Sequence, residues 1–353
     1  ENYSYRRNNS FNYVKNECEN VYNNVGLLDL STFAKYEISG RNSEQFLERL
    51  CANKIPQQEG SIILTHMLNE KGRIQTELTI TRFPNNNFYV LSSTASEFRD
   101  LDWFLKHKNK DEHVNIQNIT NDYGVLVLAG PKSREVLSKL TNEDLSNENF
   151  PWLKAKEINI AGMQVKALRI NYIGELGWEL HHSLRDMETL YDKLMRAGKS
   201  YNISNFGTYA VNSLRLEKAY KGWGSELTGE ISLVEAGMER FYNINKKDKF
   251  IGSDALKEKI SQGIEIKIVY LEVNTEDADP FGNEPVYYNN KIVGVVTSGG
   301  YGFRVNKTLA FAYVEAELAQ NVKEFQIKIQ GEKRRATVLE EMAYDPNNTK
   351  LLS

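Results

Sequence analysis

The sequence runs to 353 residues, 41% hydrophobic and 26% charged, with 44 basic side chains against 47 acidic ones. That length predicts two or three domains at roughly 100–200 residues each, with enough chain to bury a sizeable core. A net charge of −3 excludes the basic excess of a dedicated nucleic-acid binder, and no apolar run approaches the ~20 residues of a membrane helix.

Taken in chain order, the first residues, Glu1 to Asn20, are polar and show no signal peptide. Ser43 to Leu50 reads as a helix with Ser43 as its N-cap and Phe46, Leu47 and Leu50 turned inward. Residues 61–65 and 74–80 read as strands joined by a turn at Asn69-Glu70-Lys71-Gly72, followed by a strand at 88–91. A helix over 96–106 then carries Phe98, Leu101, Phe104 and Leu105 on one face.

A second block begins at Val114. Its strand at 123–129 leads through Gly130-Pro131 into a helix ending near Leu140. A hairpin turns at Ala161-Gly162 between 157–160 and 165–170, a strand follows at 178–180, and helices cover 186–197 and 208–220. The shared order of elements suggests an internal pseudo-repeat. After a helix at 253–260 the pattern changes to six short strands: 266–273, 285–288, 292–298, 309–314, 324–329 and 336–339. Asn289-Asn290 forms a tight hairpin between two of them, and the set predicts a small barrel. The fold class is therefore α+β, with residues 1–262 forming two α+β subdomains (about 1–120 and 121–262) and 263–353 a C-terminal β-barrel.

Chemistry is sparse in the usual motifs. Cys18 and Cys51 are too few for a disulfide framework or a four-thiolate site. His66, His107, His113, His181 and His182 show no zinc spacing, so no metal is expected. Gly299-Gly300-Tyr301-Gly302 lacks the strand-then-helix context of a dinucleotide fingerprint, and no nucleophile elbow is present. Three stretches stand out: 72–79 with Glu77 among hydrophobics; 171–181 with Tyr172, Glu175 and Glu179; and 212–218 followed by Gly222-Trp223-Gly224. Acids on strands beside aromatic rings suit a flat heteroaromatic ligand with ring N–H donors. The same residues also suit a solvated strand face, with Arg215 and Glu217 as a surface ion pair. His181 and His182 read as one ring toward the ligand and one toward solvent, and Cys51 reads as core.

These stretches resemble the folate-binding, aminomethyltransferase-like (glycine cleavage T-protein) superfamily, and within it the folate half of the dimethylglycine and sarcosine dehydrogenases. The resemblance spans nearly the whole chain, from Tyr3-Ser4-Tyr5-Arg6-Arg7 and 25–29 through Thr65–Arg73, Gly174–Leu180, Phe206–Ala210 and Ser213–Lys218 to 279–284 and 309–314. It implies two α+β domains and a barrel around a central channel holding tetrahydrofolate, which captures the one-carbon unit of an oxidised N-methyl amine as 5,10-methylenetetrahydrofolate. It implies Glu77 as the catalytic carboxylate and a folate site of Glu77, Leu78, Thr79, Tyr172, Glu179, Leu180, His181, Arg215 and Arg240. It also implies a partner, an FAD-containing domain or subunit that oxidises the amine. With no FAD fingerprint and no initial methionine here, the expectation is the folate half of a larger flavoenzyme, in a bacterial cytoplasm or a mitochondrial matrix. Two departures matter: Arg240 stands where the dimethylglycine branch has a tyrosine, and Val211 where T-proteins have an arginine. Val211 speaks against the alternative of a T-protein acting on a lipoyl carrier. The second alternative, a non-catalytic folate-binding factor like the iron–sulfur assembly relatives, expects a cysteine in 218–224, and none is there.

Overall fold

The computed structural model describes residues 4–353; Tyr3, the first residue of the family-like N-terminal stretch, lies outside them. Its architecture is α+β, with two mixed units followed by a closed six-stranded barrel. The first unit runs strand Ala34–Ser39, helix Ser43–Leu50, strands Ile62–Leu68, Ile74–Phe83 and Asn87–Ser92, helix Glu97–His107, strand Asn115–Asn118. The second runs strand Tyr123–Ala129, helix Ser133–Ser138, strands Ala155–Ile160, Met163–Leu168 and Gly177–Ser183, helix Met187–Gly198, strand Ser204–Asn205. The order is the same, and so is the layout. In each sheet the unit's second, third, fourth, first and fifth strands succeed one another across the width. The pseudo-repeat suggested by element order is thus a repeat of topology.

One strand breaks the symmetry. Gly26–Asp29 inserts between the first and fifth strands of the second sheet, antiparallel to Tyr123–Ala129 and parallel to Ser204–Asn205. Residues 10–29 therefore pack with the second unit, although a division at 120 assigns them to the first. The preceding helix, Ser10–Asn23, went unpredicted because its composition is polar. It buries Cys18 and Val21 against Ala210 and Leu214 of helix Thr208–Glu217. Ser43 is the first helical residue and does not cap: its hydroxyl lies 2.8 Å from both Gly40 O and Asn86 O, which share its single hydrogen.

Each sheet is amphipathic by alternation. In the first, Leu78, Ile80 and Met67 pack on Phe46, Leu47 and Phe104 beneath the helices. Tyr89 and Leu91 lie on the opposite face and meet Leu168 and Ala155 of the second unit. The two sheets therefore pack face to face, and side chains at alternate positions are delivered to the seam between them. The hairpins obey their turn chemistry, with positive φ at Ala161 (51°) and Gly162 (94°), and at Asn289 (49°) and Asn290 (63°).

The barrel closes as 266–273, 307–315, 291–302, 285–288, 324–329 and 332–338 around Val269, Leu271, Val286, Ala312, Phe325 and Ile327. It is locked to the second unit by Arg304, on the loop between strands Lys291–Gly302 and Lys307–Glu315. This guanidinium, 1% exposed, pairs with Glu217 through Nε and with Glu175 Oε1 at 2.7 Å. It also donates to Ile173 O at 3.1 Å and Leu214 O at 2.7 Å. Burial raises both carboxyls above their ordinary value, while the two carboxylates in turn hold Arg304 protonated.

Candidate functional site

Glu77 sits on the middle of strand Ile74–Phe83, on the face opposite Leu78, and its side chain is 22% exposed. The strand is launched by a turn in which Asn69 Oδ1 accepts from the backbone N–H groups of Lys71 and Arg73 at 3.0 and 3.1 Å. Gly72 sits there at φ +73°, where a Cβ would come within 2.8 Å of Leu256 N. Directly across the ladder from Glu77 is His66. That imidazole is fully buried, its Nε2 lies 3.7 Å from Glu77 Oε1, and neither ring nitrogen has a hydrogen-bond partner among the described residues. Phe241 meets the ring edge-on at 6.2 Å. Buried polar groups are nearly always paired, so an imidazole with both nitrogens free beside a carboxylate has bonding capacity that a ligand or water can use.

Tyr172 is held by a compact turn. Asn171 Oδ1 accepts from Ile173 N and Gly174 N at 3.1 and 3.0 Å, and its amide donates to Glu175 O at 2.7 Å. Gly174 has φ +74°, and a Cβ there would run into the Lys218 side chain at 2.3 Å. The phenol donates to Lys221 O at 2.5 Å, and its ring lies 5.8 Å from Tyr220. Burial raises its pKa; the nearby Arg215 opposes that shift, whereas Glu77 and Glu226 add to it. Tyr172 therefore shares its surroundings with Glu77, although they come from different units.

Behind it lies a saturated polar knot. Arg215 donates from Nε and one terminal nitrogen to Asn212 Oδ1 at 3.0 and 2.8 Å. The remaining hydrogens reach Tyr220 O at 3.1 Å, Glu226 Oε2 at 2.9 Å and Ser298 Oγ at 2.8 Å. All five guanidinium N–H groups are thus matched by protein acceptors. Glu226, also fully buried, accepts in addition from Gly222 N at 2.8 Å and Thr297 Oγ1 at 2.7 Å.

Glu179 stands on strand Gly177–Ser183, on the face that meets the first unit, with 13% of its side chain exposed. One carboxylate oxygen lies 3.3 Å from His181 Nε2, while the other has no partner among the described residues. Across the seam, the hydroxyl of Tyr89 lies 3.0 Å from His181 Nδ1. Burial lowers the His181 pKa below its ordinary value and raises that of Tyr89 well above, so the ring is neutral and the phenol keeps its proton.

The structure thus brings Glu77, Thr79 and Tyr172 to one region and places Glu179 and His181 on the facing sheet. It does not bring Leu78 and Leu180 with them: both are fully buried in the cores behind their sheets, since adjacent strand residues face opposite ways. Arg215 has no hydrogen left for a ligand, and its anionic partner is Glu226 rather than the neighbouring Glu217. Arg240 is exposed with no hydrogen bond among the described residues, and precedes Phe241, whose ring meets His66. His182 does not face solvent. It is buried against Gly124, with Nδ1 2.8 Å from Ser183 O. Cys51 is core, its thiol pushed up to about 12 by burial. Sequence reasoning overlooked His66 and Tyr89 as site residues. His66 had a signal, since antiparallel pairing across the 69–72 turn places it opposite Glu77; Tyr89 had none, because its partner is 92 residues away.

This fold is that of the aminomethyltransferase T-proteins. The crystal structure of glycine cleavage system aminomethyltransferase T from Bartonella henselae superposes with a TM-score of 0.84, covering 94% of this chain and 90% of that one at 23% identity. Residues 1–246 match the GCVT N-terminal domain, and residues 267–345 match the glycine cleavage T-protein C-terminal barrel domain. The chain belongs to the glycine cleavage T-protein family. Among curated relatives it is 44% identical over 339 residues to mouse (Mus musculus) mitochondrial dimethylglycine dehydrogenase, covering 96% of this chain but 39% of that protein. It is 31% identical to an aminomethyltransferase from Thermoanaerobacter sp. (strain X514), covering 96% of this chain and 92% of that one. The chain therefore spans about two-fifths of the length of the dimethylglycine dehydrogenases it matches. No helix among the described residues is long and apolar enough to cross a membrane.

Proposed function

We propose that this chain binds tetrahydrofolate in the seam between its two α+β units and acts in one-carbon capture from an oxidised N-methyl amine of the dimethylglycine or sarcosine type. The observation that carries this reading is the pair of acids on facing sheets, each with acceptor capacity unused by the protein. The free oxygen of Glu179 suits ring N–H donors, and Tyr172, within reach of the Glu77 charge, offers an aromatic ring. The orphaned nitrogens of His66 add a buried polar group next to that carboxylate. These residues fit the ligand. The chemistry tetrahydrofolate supplies when bound is a nucleophilic nitrogen that takes up a one-carbon unit, giving 5,10-methylenetetrahydrofolate. Glu179 binds and orients, whereas Glu77, partly exposed and without a hydrogen bond among the described residues, is the catalytic group that takes or returns a proton. Thr79 lies on the same strand face as Glu77, and the exposed guanidinium of Arg240 suits the carboxylates of the folate tail.

The strong likeness to dimethylglycine dehydrogenases supports an FAD-containing domain or subunit as the source of the oxidised amine, and a mitochondrial matrix location. A second reading, aminomethyl transfer from a lipoyl carrier, draws on the near-full coverage of the bacterial aminomethyltransferase. Against it, Val211 packs into an apolar cluster with Phe206, Leu214 and Phe303 and puts no cation there.

Isothermal titration with tetrahydrofolate tests the proposal. Glu179→Ala should lose binding, while Glu77→Ala should keep affinity and slow one-carbon transfer. Unchanged affinity in Glu179→Ala would refute the assignment of the site.

A further inference from the structure

The contact of Tyr89, His181 and Glu179 has a chemical logic that binding alone does not require. A carboxylate only accepts hydrogen bonds, so the imidazole nitrogen facing Glu179 must carry a hydrogen. A neutral ring has only one N–H, which makes Nδ1 an acceptor and obliges the Tyr89 hydroxyl to donate to it. Burial keeps the ring neutral, and nearby Lys35 and His182 act in the same direction, against the pull of Glu179. The wiring is then unique: Tyr89 O–H to Nδ1 at 3.0 Å, and Nε2–H to Glu179 at 3.3 Å.

We propose that His181 is a positioning residue, fixed in one tautomer by Tyr89 of the opposite unit, which pins one oxygen of Glu179 and leaves the other for the ligand. The inference rests on the folate reading above and gives His181 a role different from direct ligand contact. It also explains why the fourth strands of the two repeats meet at this point. A side chain from the first unit orients the binding carboxylate of the second, so the site is complete only when the units are docked. In a Tyr89→Phe variant the aromatic packing remains but nothing holds the tautomer. The Nδ1–H form then presents a lone pair to Glu179 and releases it.

The test combines ¹⁵N NMR of the histidine rings with tetrahydrofolate titration of the full chain. The native protein should show the Nε2–H tautomer at His181, and Tyr89→Phe should show a tautomer mixture with about five- to tenfold weaker folate binding, the usual reach of one neutral hydrogen bond. His181→Gln, whose amide can still donate, should bind more tightly than His181→Leu. A native Nδ1–H tautomer would overturn the inference. So would folate affinity unchanged in Tyr89→Phe and His181→Leu but lost in Glu179→Ala, a result that leaves the folate reading standing. No folate binding by the native chain would instead overturn that reading, and this extension with it.

Discussion

Arg304→Met removes the guanidinium that bridges Glu175 and Glu217, whose side chains are 2% and 0% exposed. Breaking a buried pair by deleting one partner costs about 3–5 kcal/mol, because the remaining charge is left without compensation. Here two carboxylates are stranded, and two backbone acceptors, Ile173 O and Leu214 O, lose their donor. The expected loss is therefore at the upper end, about 4–5 kcal/mol, or roughly 8–10 °C in Tm at about 2 °C per kcal/mol for a long chain. The pH dependence has a definite sign. Both carboxyls already have raised folded-state values, and without Arg304 they rise further above 4.5. The folded variant then binds protons that the unfolded chain does not, so its deficit is largest at neutral pH and shrinks as pH falls toward 4.5. Differential scanning calorimetry of native and variant from about pH 8 to about pH 5 reads this directly. Adding Glu175→Gln and Glu217→Gln to the variant should restore much of the lost stability. A deficit under about 1 kcal/mol, or one that is the same across the range, would refute the claim that this triad locks the barrel to the second unit.

Arg215 and the cysteines provide two shorter tests. Arg215→Lys cannot reproduce five directed hydrogen bonds, so it should lower Tm by several degrees. The same variant should leave the tetrahydrofolate affinity of the folded protein nearly unchanged; a tenfold weaker affinity without a Tm change would make Arg215 a ligand contact after all. Cys18 and Cys51 are fully buried with thiols pushed up to about 12. A thiol reagent at neutral pH should label neither in the native state and both on unfolding, and rapid native labelling would show that the core around them opens.

The local half of the fold was legible because it is written in alternation and turn chemistry. Strand Ile266–Val273 was read with both ends correct, and Asn289-Asn290 and Ala161-Gly162 announced their hairpins through residues that tolerate positive φ. What could not be read was anything joined across long separations. Gly26–Asp29 is four residues long, and only its partners at 123–129 and 204–205 give it a sheet. The ion pairs failed for the same reason. Arg215 and Glu217 looked like a local couple, but each is committed to a partner elsewhere, Glu226 and Arg304. In the site, Glu77 and Glu179 were visible as acids among hydrophobics. Reading their neighbours Leu78 and Leu180 as contacts ignored the two-residue period that sends them into the cores.

That period also shapes how the two halves of the site differ. Each repeat presents a carboxylate toward the seam with an imidazole beside it, His66 at Glu77 and His181 at Glu179, yet the imidazoles are wired in opposite ways. His181 is bonded on both nitrogens, which fixes its carboxylate and suits a group that must hold a ligand in one orientation. His66 is bonded on neither, and the 3.7 Å between Nε2 and Glu77 is too long for a hydrogen bond. A buried imidazole left in that condition costs free energy unless it is matched when the ligand arrives. On the proposed reading, the repeat has diverged into a rigid acid for binding and an unrestrained acid for moving a proton. The distinction lies in the neighbouring histidines, because the acids themselves are the same residue type on equivalent sheets.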